Sequence, residues 1–154
     1  MIGLMVLAAA ALQCPVENAH YVLRHHPGTT ASFRPVASSA DWPGGLVLVV
    51  HSGAAGKTSW WLPAPGGTNN LQYLVSTTDV DTPGWQPPHP DGGPRPEGYR
   101  EYIGTDAAYD VIDDIPHRGT AAPAHILIPQ AGSSHDEIFA KQFFDLAGCS
   151  PKAG

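Results

Sequence analysis

Apolar residues along this chain recur mostly with a period of two, in short runs separated by Gly and Pro, a pattern of strands joined by turns. Residues 20–26 alternate, with Tyr21 and Leu23 on one face and Val22, Arg24 and His26 on the other. Pro27 and Gly28 predict a turn, after which residues 30–36 run back with Ala31 and Phe33 inward. The run 46–50 (LVLVV) is apolar on both faces and predicts a central strand covered on both sides. Residues 52–56 (SGAAG) predict a hairpin loop and 57–62 the returning strand. A fifth strand follows over 71–76, where Leu71, Tyr73 and Val75 alternate with Gln72, Leu74 and Ser76.

Beyond this meander the periodicity weakens. Residues 99–103 and 124–128 read as short strands, and 106–115 as a helix, because Ala108, Val111, Ile112 and Ile115 have helical spacing. The strongest helix signal comes last. Ser134 and Glu137 have capping-box spacing, Ile138, Phe139, Phe143, Leu146 and Ala147 make an apolar stripe, and Gly148 supplies a stop. The expected fold is therefore α+β: an antiparallel β-meander of about five strands with a C-terminal helix packed on one face.

The loop 82–98 interrupts the pattern. Ten of its 17 residues are Gly or Pro, so neither helix nor ladder is expected to run through it. A structureless loop of that length is uncommon in a compact domain and tends to be functional. Trp85 is the residue expected to anchor it.

The first twelve residues carry no charged or polar side chain. That is too short to span a bilayer, which takes about 20 residues, but it suits the apolar core of a secretory signal. Residues 1–13 thus read as a signal peptide whose missing basic segment suggests truncation at its start, and 14–154 as a single domain. Ala11 and Gln13 fit a lipidated Cys14 poorly. Cys14 and Cys149, the two cysteines, are expected to form a disulfide in an exported, periplasmic or extracellular protein.

Composition narrows the partners. Lys and Arg number 8 against 14 Asp and Glu, a net charge of -6, which argues against nucleic acid and against stable membrane association after processing. Charged residues are 14% of the chain against about 25% in an average domain, and Gly 17 with Pro 16 exclude an all-helical protein.

Catalytic patterns are weak. GAAGKT at 53–58 lacks the first Gly of a phosphate loop, because His51 stands there, and a strand follows where a helix is needed. No Gly-x-Ser-x-Gly elbow occurs, and His51 and Ser52 are adjacent and so point to opposite faces. Eight histidines have no zinc spacing. Asp79 and Asp81 begin like a calcium loop but Pro83 and Pro90 break it, which leaves Asp79, Asp81 and His89 as weak metal candidates, and no cofactor is expected. Asp79, Asp81, Glu97, Glu101 and Asp106 contain no pair whose spacing singles it out for glycoside hydrolysis.

The aromatics carry more. Trp60 and Trp61 are consecutive on a strand, so one ring faces the core and the other away from it. The outward ring needs cover from the loop 82–98, a partner or a flat ligand. In the ligand reading, Trp60 or Trp61 with Trp85, Asn69, Asn70 and Gln72 lines a groove for a small molecule, saccharide or peptide. The expected function is a small exported, non-catalytic binding or envelope domain of unknown ligand. The alternatives are a hydrolase using Asp and His near 79–106, with or without a metal, and an interaction module presenting its Pro-rich loop.

Overall fold

The computed structural model describes residues 13–65, 72–129 and 141–151. Eight strands form one closed antiparallel barrel in sequence order: β1 (Ala19–Leu23), β2 (His26–Pro35), β3 (Leu46–Ser52), β4 (Lys57–Pro65), β5 (Gln72–Thr77), β6 (Tyr99–Thr105), β7 (His125–Leu127) and β8 (Phe143–Cys149). The α+β expectation is thereby overturned. The fold is all-β, and no α-helix occurs among the described residues.

The largest correction concerns the C-terminal segment. Phe143, Leu146 and Ala147 do have helical spacing, yet 143–149 is a strand whose inward set is Phe144 and Leu146. Strand pairing decides between the two periodicities. β8 has β7 on one side, with Ile126 opposite Phe144, and β1 on the other, with Tyr21 opposite Leu146 and Leu23 opposite Phe144. A helix there would leave both neighbours with open edges and β1 without a partner for half its backbone groups. The capping-box residues 134–137 lie outside the described residues.

Two smaller expectations also change. Residues 106–115 form no helix, because Asp106 turns the chain: its Oδ1 accepts the amides of Ala108 at 2.8 Å and Asp110 at 3.0 Å, an Asx-type turn. The first hairpin turns at residues 24–25, and Pro27 and Gly28 belong to β2. Gly28 meets the β3–β4 turn so closely that a Cβ on Gly53 would lie 2.5 Å from the Gly28 carbonyl oxygen.

An eight-stranded barrel has an interior just wide enough for side chains to fill or for one small ligand. Here large side chains fill it: Tyr21, Leu23, Phe33, Leu48, Trp61, Leu74, Ile126 and Phe144 are all 1% exposed or less. Tyr21 and Phe33 meet edge to face at 6.1 Å, and the Trp61 ring lies 5.3 Å from the Arg100 guanidinium carbon. Outward positions of β1 and β2, including His20, Ser32 and Arg34, are polar.

One end of the lumen is closed by the segment before β1. Val16 is fully buried in a 3-10 turn (Val16–Asn18), and its amide donates to Thr120 O at 2.9 Å. Cys14 in this segment is disulfide-bonded to Cys149 at the end of β8, with Cα atoms 5.7 Å apart. The bond spans 135 residues and ties the first strand to the last.

Because the bond closes nearly the whole chain, its removal is expected to cost about 2–5 kcal/mol, or about 5–15 °C in Tm. Thermal unfolding of the C14S/C149S variant measures this, and an unchanged Tm would contradict it. Phe144→Ala empties part of the lumen and is expected to cost about 3–5 kcal/mol in urea unfolding.

Candidate functional site

Trp60 and Trp61 sit on opposite sides of the barrel wall. Trp61 points into the lumen, where its Nε1 donates to Ser59 Oγ at 2.8 Å. Trp60 points outward and packs against a second apolar cluster formed by Trp42, Val47, Val49, Leu62 and Val75. This cluster exists because β3, β4 and β5 are apolar on both faces, and the loops 36–45 and 78–98 cover it.

The long loop is anchored at several points. Trp42 Nε1 donates to Pro88 O at 2.7 Å, and Trp85 Nε1 donates to Thr77 Oγ1 at 3.2 Å. Arg34 holds Asp81 through two hydrogen bonds, of 3.1 and 2.5 Å, and that partner pushes the guanidinium pKa up. The returning limb is fastened to β5: the Glu97 amide donates to Ser76 Oγ at 2.9 Å, and the Ser76 amide donates to Gly98 O at 2.9 Å. Arg95 ties the limb back to Pro90 O, and Lys57 pairs with Glu97 at 2.5 Å. Gly98, at φ +69°, lets the chain leave this limb and enter β6.

The limb 95–97 contributes to two open depressions on the outer face of β4 and β5. The first, of about 260 Å³, is lined by Thr58, Trp60, Thr77, Thr78, Asp79 and Glu97 among others. The second, of about 200 Å³, is lined by Ala64, Pro65, Tyr73, Val75, Arg95 and Tyr99. Tyr99 is 60% exposed and meets Tyr73 edge to face at 6.0 Å. Each depression thus offers a partly or largely exposed aromatic ring on walls that the hydrogen bonds above hold in place.

A separate polar cluster joins the β1–β2 turn, β7, β8 and the loop that carries Tyr109. Arg24 is bidentate to Asp145, at 2.9 and 2.7 Å, and His125 Nδ1 lies 2.7 Å from Asp145 Oδ1. Arg24 also donates to the Tyr109 hydroxyl at 2.6 Å, and the Tyr109 ring stacks on His125 at 4.2 Å. Tyr109 has φ +66°, costly for a residue with a side chain, so these contacts hold a strained loop against the barrel. The Asp145 pKa is lowered, first by the Arg24 hydrogen bonds; burial opposes this, and the His125 hydrogen bond adds a smaller lowering. A His–Asp pair is the core of many acid–base sites. Here the face of the imidazole is covered by Tyr109, and the carboxylate is shared with Arg24.

Of the residues singled out from the sequence, Trp60 lines the first depression, and Trp85 packs beneath the loop in the same outer cluster. Trp61 lies across the wall in the lumen. Gln72 lies at a lumen end, its Nε2 donating to the carbonyls of Ile112 and Asp113. Asn69 and Asn70 lie outside the described residues. Asp79 accepts the Asp81 amide at 2.9 Å, Asp81 pairs with Arg34, and the His89 ring accepts the Asp91 amide at 3.1 Å. Among the described residues no three His, Cys, Asp or Glu side chains come together as a metal site. Tyr73, Tyr99 and the Tyr109–His125–Asp145 group were not singled out. A closed barrel sets β8 between β7 and β1, and no spacing within the chain reports that.

Comparison with known protein families, curated proteins and solved structures finds no match for this chain.

The lowered Asp145 pKa gives a signed pH dependence. A carboxyl depressed in the folded state contributes stability above its unfolded pKa, about 4, and loses it as pH falls through the folded value. The Tm difference between wild type and Asp145→Asn is therefore expected to be largest above pH 5 and to shrink toward pH 2. A difference independent of pH would show that the carboxylate charge is not what holds the cluster.

Proposed function

We propose that this protein is a small exported, non-catalytic binding domain whose ligand lies on the outer face of β4 and β5 against the Trp60 ring. The observation that carries the reading is the first depression. It combines a half-buried indole with the hydroxyls of Thr58 and Thr77 and the carboxylates of Asp79 and Glu97 in about 260 Å³. An apolar platform rimmed by a few fixed polar groups is the usual construction of a small-ligand site. The packed lumen supports placing the ligand outside the barrel, since Trp61 and Phe144 occupy the space an internal ligand would need.

Export is supported by the Cys14–Cys149 disulfide, which persists in oxidising compartments, and by the apolar run that precedes Cys14. No helix among the described residues is long and apolar enough to cross a membrane. The non-catalytic reading is supported by how the acidic and histidine side chains are used. Asp81 pairs with Arg34, and His125 and Asp145 are committed to the Tyr109 cluster. Pro88 already gives its carbonyl to Trp42, which makes the Pro-rich loop a wall of the site in this reading, not a bait for another protein.

The indole resonances test this. The full chain, 15N-labelled, is titrated with neutral mono- and oligosaccharides, a Pro-rich peptide and divalent cations. A ligand of this face is expected to move the Trp60 indole N–H and leave Trp61 in place, and Trp60→Ala is expected to abolish binding without lowering Tm by more than a few degrees. Movement of Trp61 alone, or no movement with any probe at millimolar concentration, would overturn it.

A further inference from the structure

We infer that the ligand of this face is an uncharged linear oligosaccharide that crosses both depressions, with Trp60 as one stacking platform and Tyr99 as the second. The inference rests on the binding reading above and deepens it. Size comes first. Pockets that bury a drug-sized ligand run to roughly 300–1,000 Å³. At about 260 and 200 Å³, each depression alone falls below that range, and the pair together falls within it.

The two depressions lie along the same strands. Trp60 on β4 is opposite Thr77, and Tyr99 on β6 is opposite Val75, which is itself opposite Leu62, so the platforms are offset by two residues along the strands and by two strands across the sheet, about 12 Å in all. No single sugar ring spans that distance, whereas a chain of linked rings does. The limb 95–97, which contributes to both depressions, is held by Ser76, Pro90 and Lys57, so the walls need little ordering when a ligand arrives.

The chemistry of the walls selects the class. Trp60, Tyr73 and Tyr99 supply apolar ring surface for the C–H face of a pyranose, and Tyr99 is 60% exposed. Asp79 and Glu97 are acceptors only, matched to the many O–H donors of a sugar. Glu97 is paired with Lys57, and Arg95 of the second depression is tied to Pro90 O, so it is the net charge of -6 over the chain that disfavours a polyanionic ligand. A peptide is the weaker fit. The indole N–H that grips a proline carbonyl in this protein, that of Trp42, is occupied by Pro88.

Calorimetric titration of the full chain with glucose, cello-oligosaccharides and chito-oligosaccharides of increasing length provides the test, with a Pro-rich heptapeptide run in parallel. In at least one series the tetrasaccharide is expected to bind about tenfold more tightly than the disaccharide, the gain of one further aromatic platform. Tyr99→Ala, at an exposed position, is expected to keep the wild-type Tm and the disaccharide affinity while cutting tetrasaccharide affinity to the disaccharide level. Trp60→Ala is expected to lose both. Equal affinity for short and long chains, or a Tyr99→Ala variant that binds the tetrasaccharide normally, would overturn the two-platform inference while leaving the Trp60 site standing. Binding of the heptapeptide in place of the sugars would overturn the saccharide class. Absence of binding by every probe would overturn both the inference and the reading on which it rests.

Discussion

The pairing of β1 with β8, fastened by the disulfide between Cys14 and Cys149, is the constraint on which the rest of the molecule depends. A sheet of eight strands left open would have two unpaired edges and an unfilled inner face. Once the first and last strands meet, both edges disappear and the inner face becomes a lumen. Tyr21, Phe33, Trp61 and Phe144, which come from strands far apart in the chain, then share one core. The lumen is narrow enough that these side chains fill it, which leaves the outer wall as the place for recognition.

That wall is not uniform. β3, β4 and β5 are apolar on both faces, so closing the barrel buries one face and leaves the other needing cover. The Pro- and Gly-rich loop supplies it. Its Trp85 and Pro88 dock on Thr77 and Trp42, and its returning limb runs over β5 without covering all of the sheet. The two aromatic depressions are what the loop leaves uncovered. In this account the proposed binding face follows from a strand segment too apolar for solvent and a loop too short to cover it entirely.

The strands of the first half were legible because the alternation over 20–26 and the apolar run over 46–50 are local signals, and the hairpin glycines at 53 and 56 mark the turn into 57–62. The disulfide was legible from two cysteines at the two ends of the chain. The last strand was not. Phe143, Phe144 and Leu146 satisfy a helical and a strand period at once over seven residues, and only their neighbours in space decide between them. With β8 read as a helix, β1 had β2 as its one neighbour, and closure, the place of β7 beside β8 and the Arg24–Asp145–His125 cluster stayed out of view. The site was half legible. The Trp60–Trp61 pair implied one outward ring, but which one depends on register, and Tyr99 gained meaning only when β6 was placed beside β5.

Closure itself is tested most directly by through-space proton contacts between β1 and β8 in solution. The barrel places Tyr21 opposite Leu146 and Val22 opposite Asp145. Cross-strand contacts between these backbones, with slowly exchanging amides on both strands, are the expected result. Helical contacts between residues three apart over 143–149, with none reaching β1, would contradict the account.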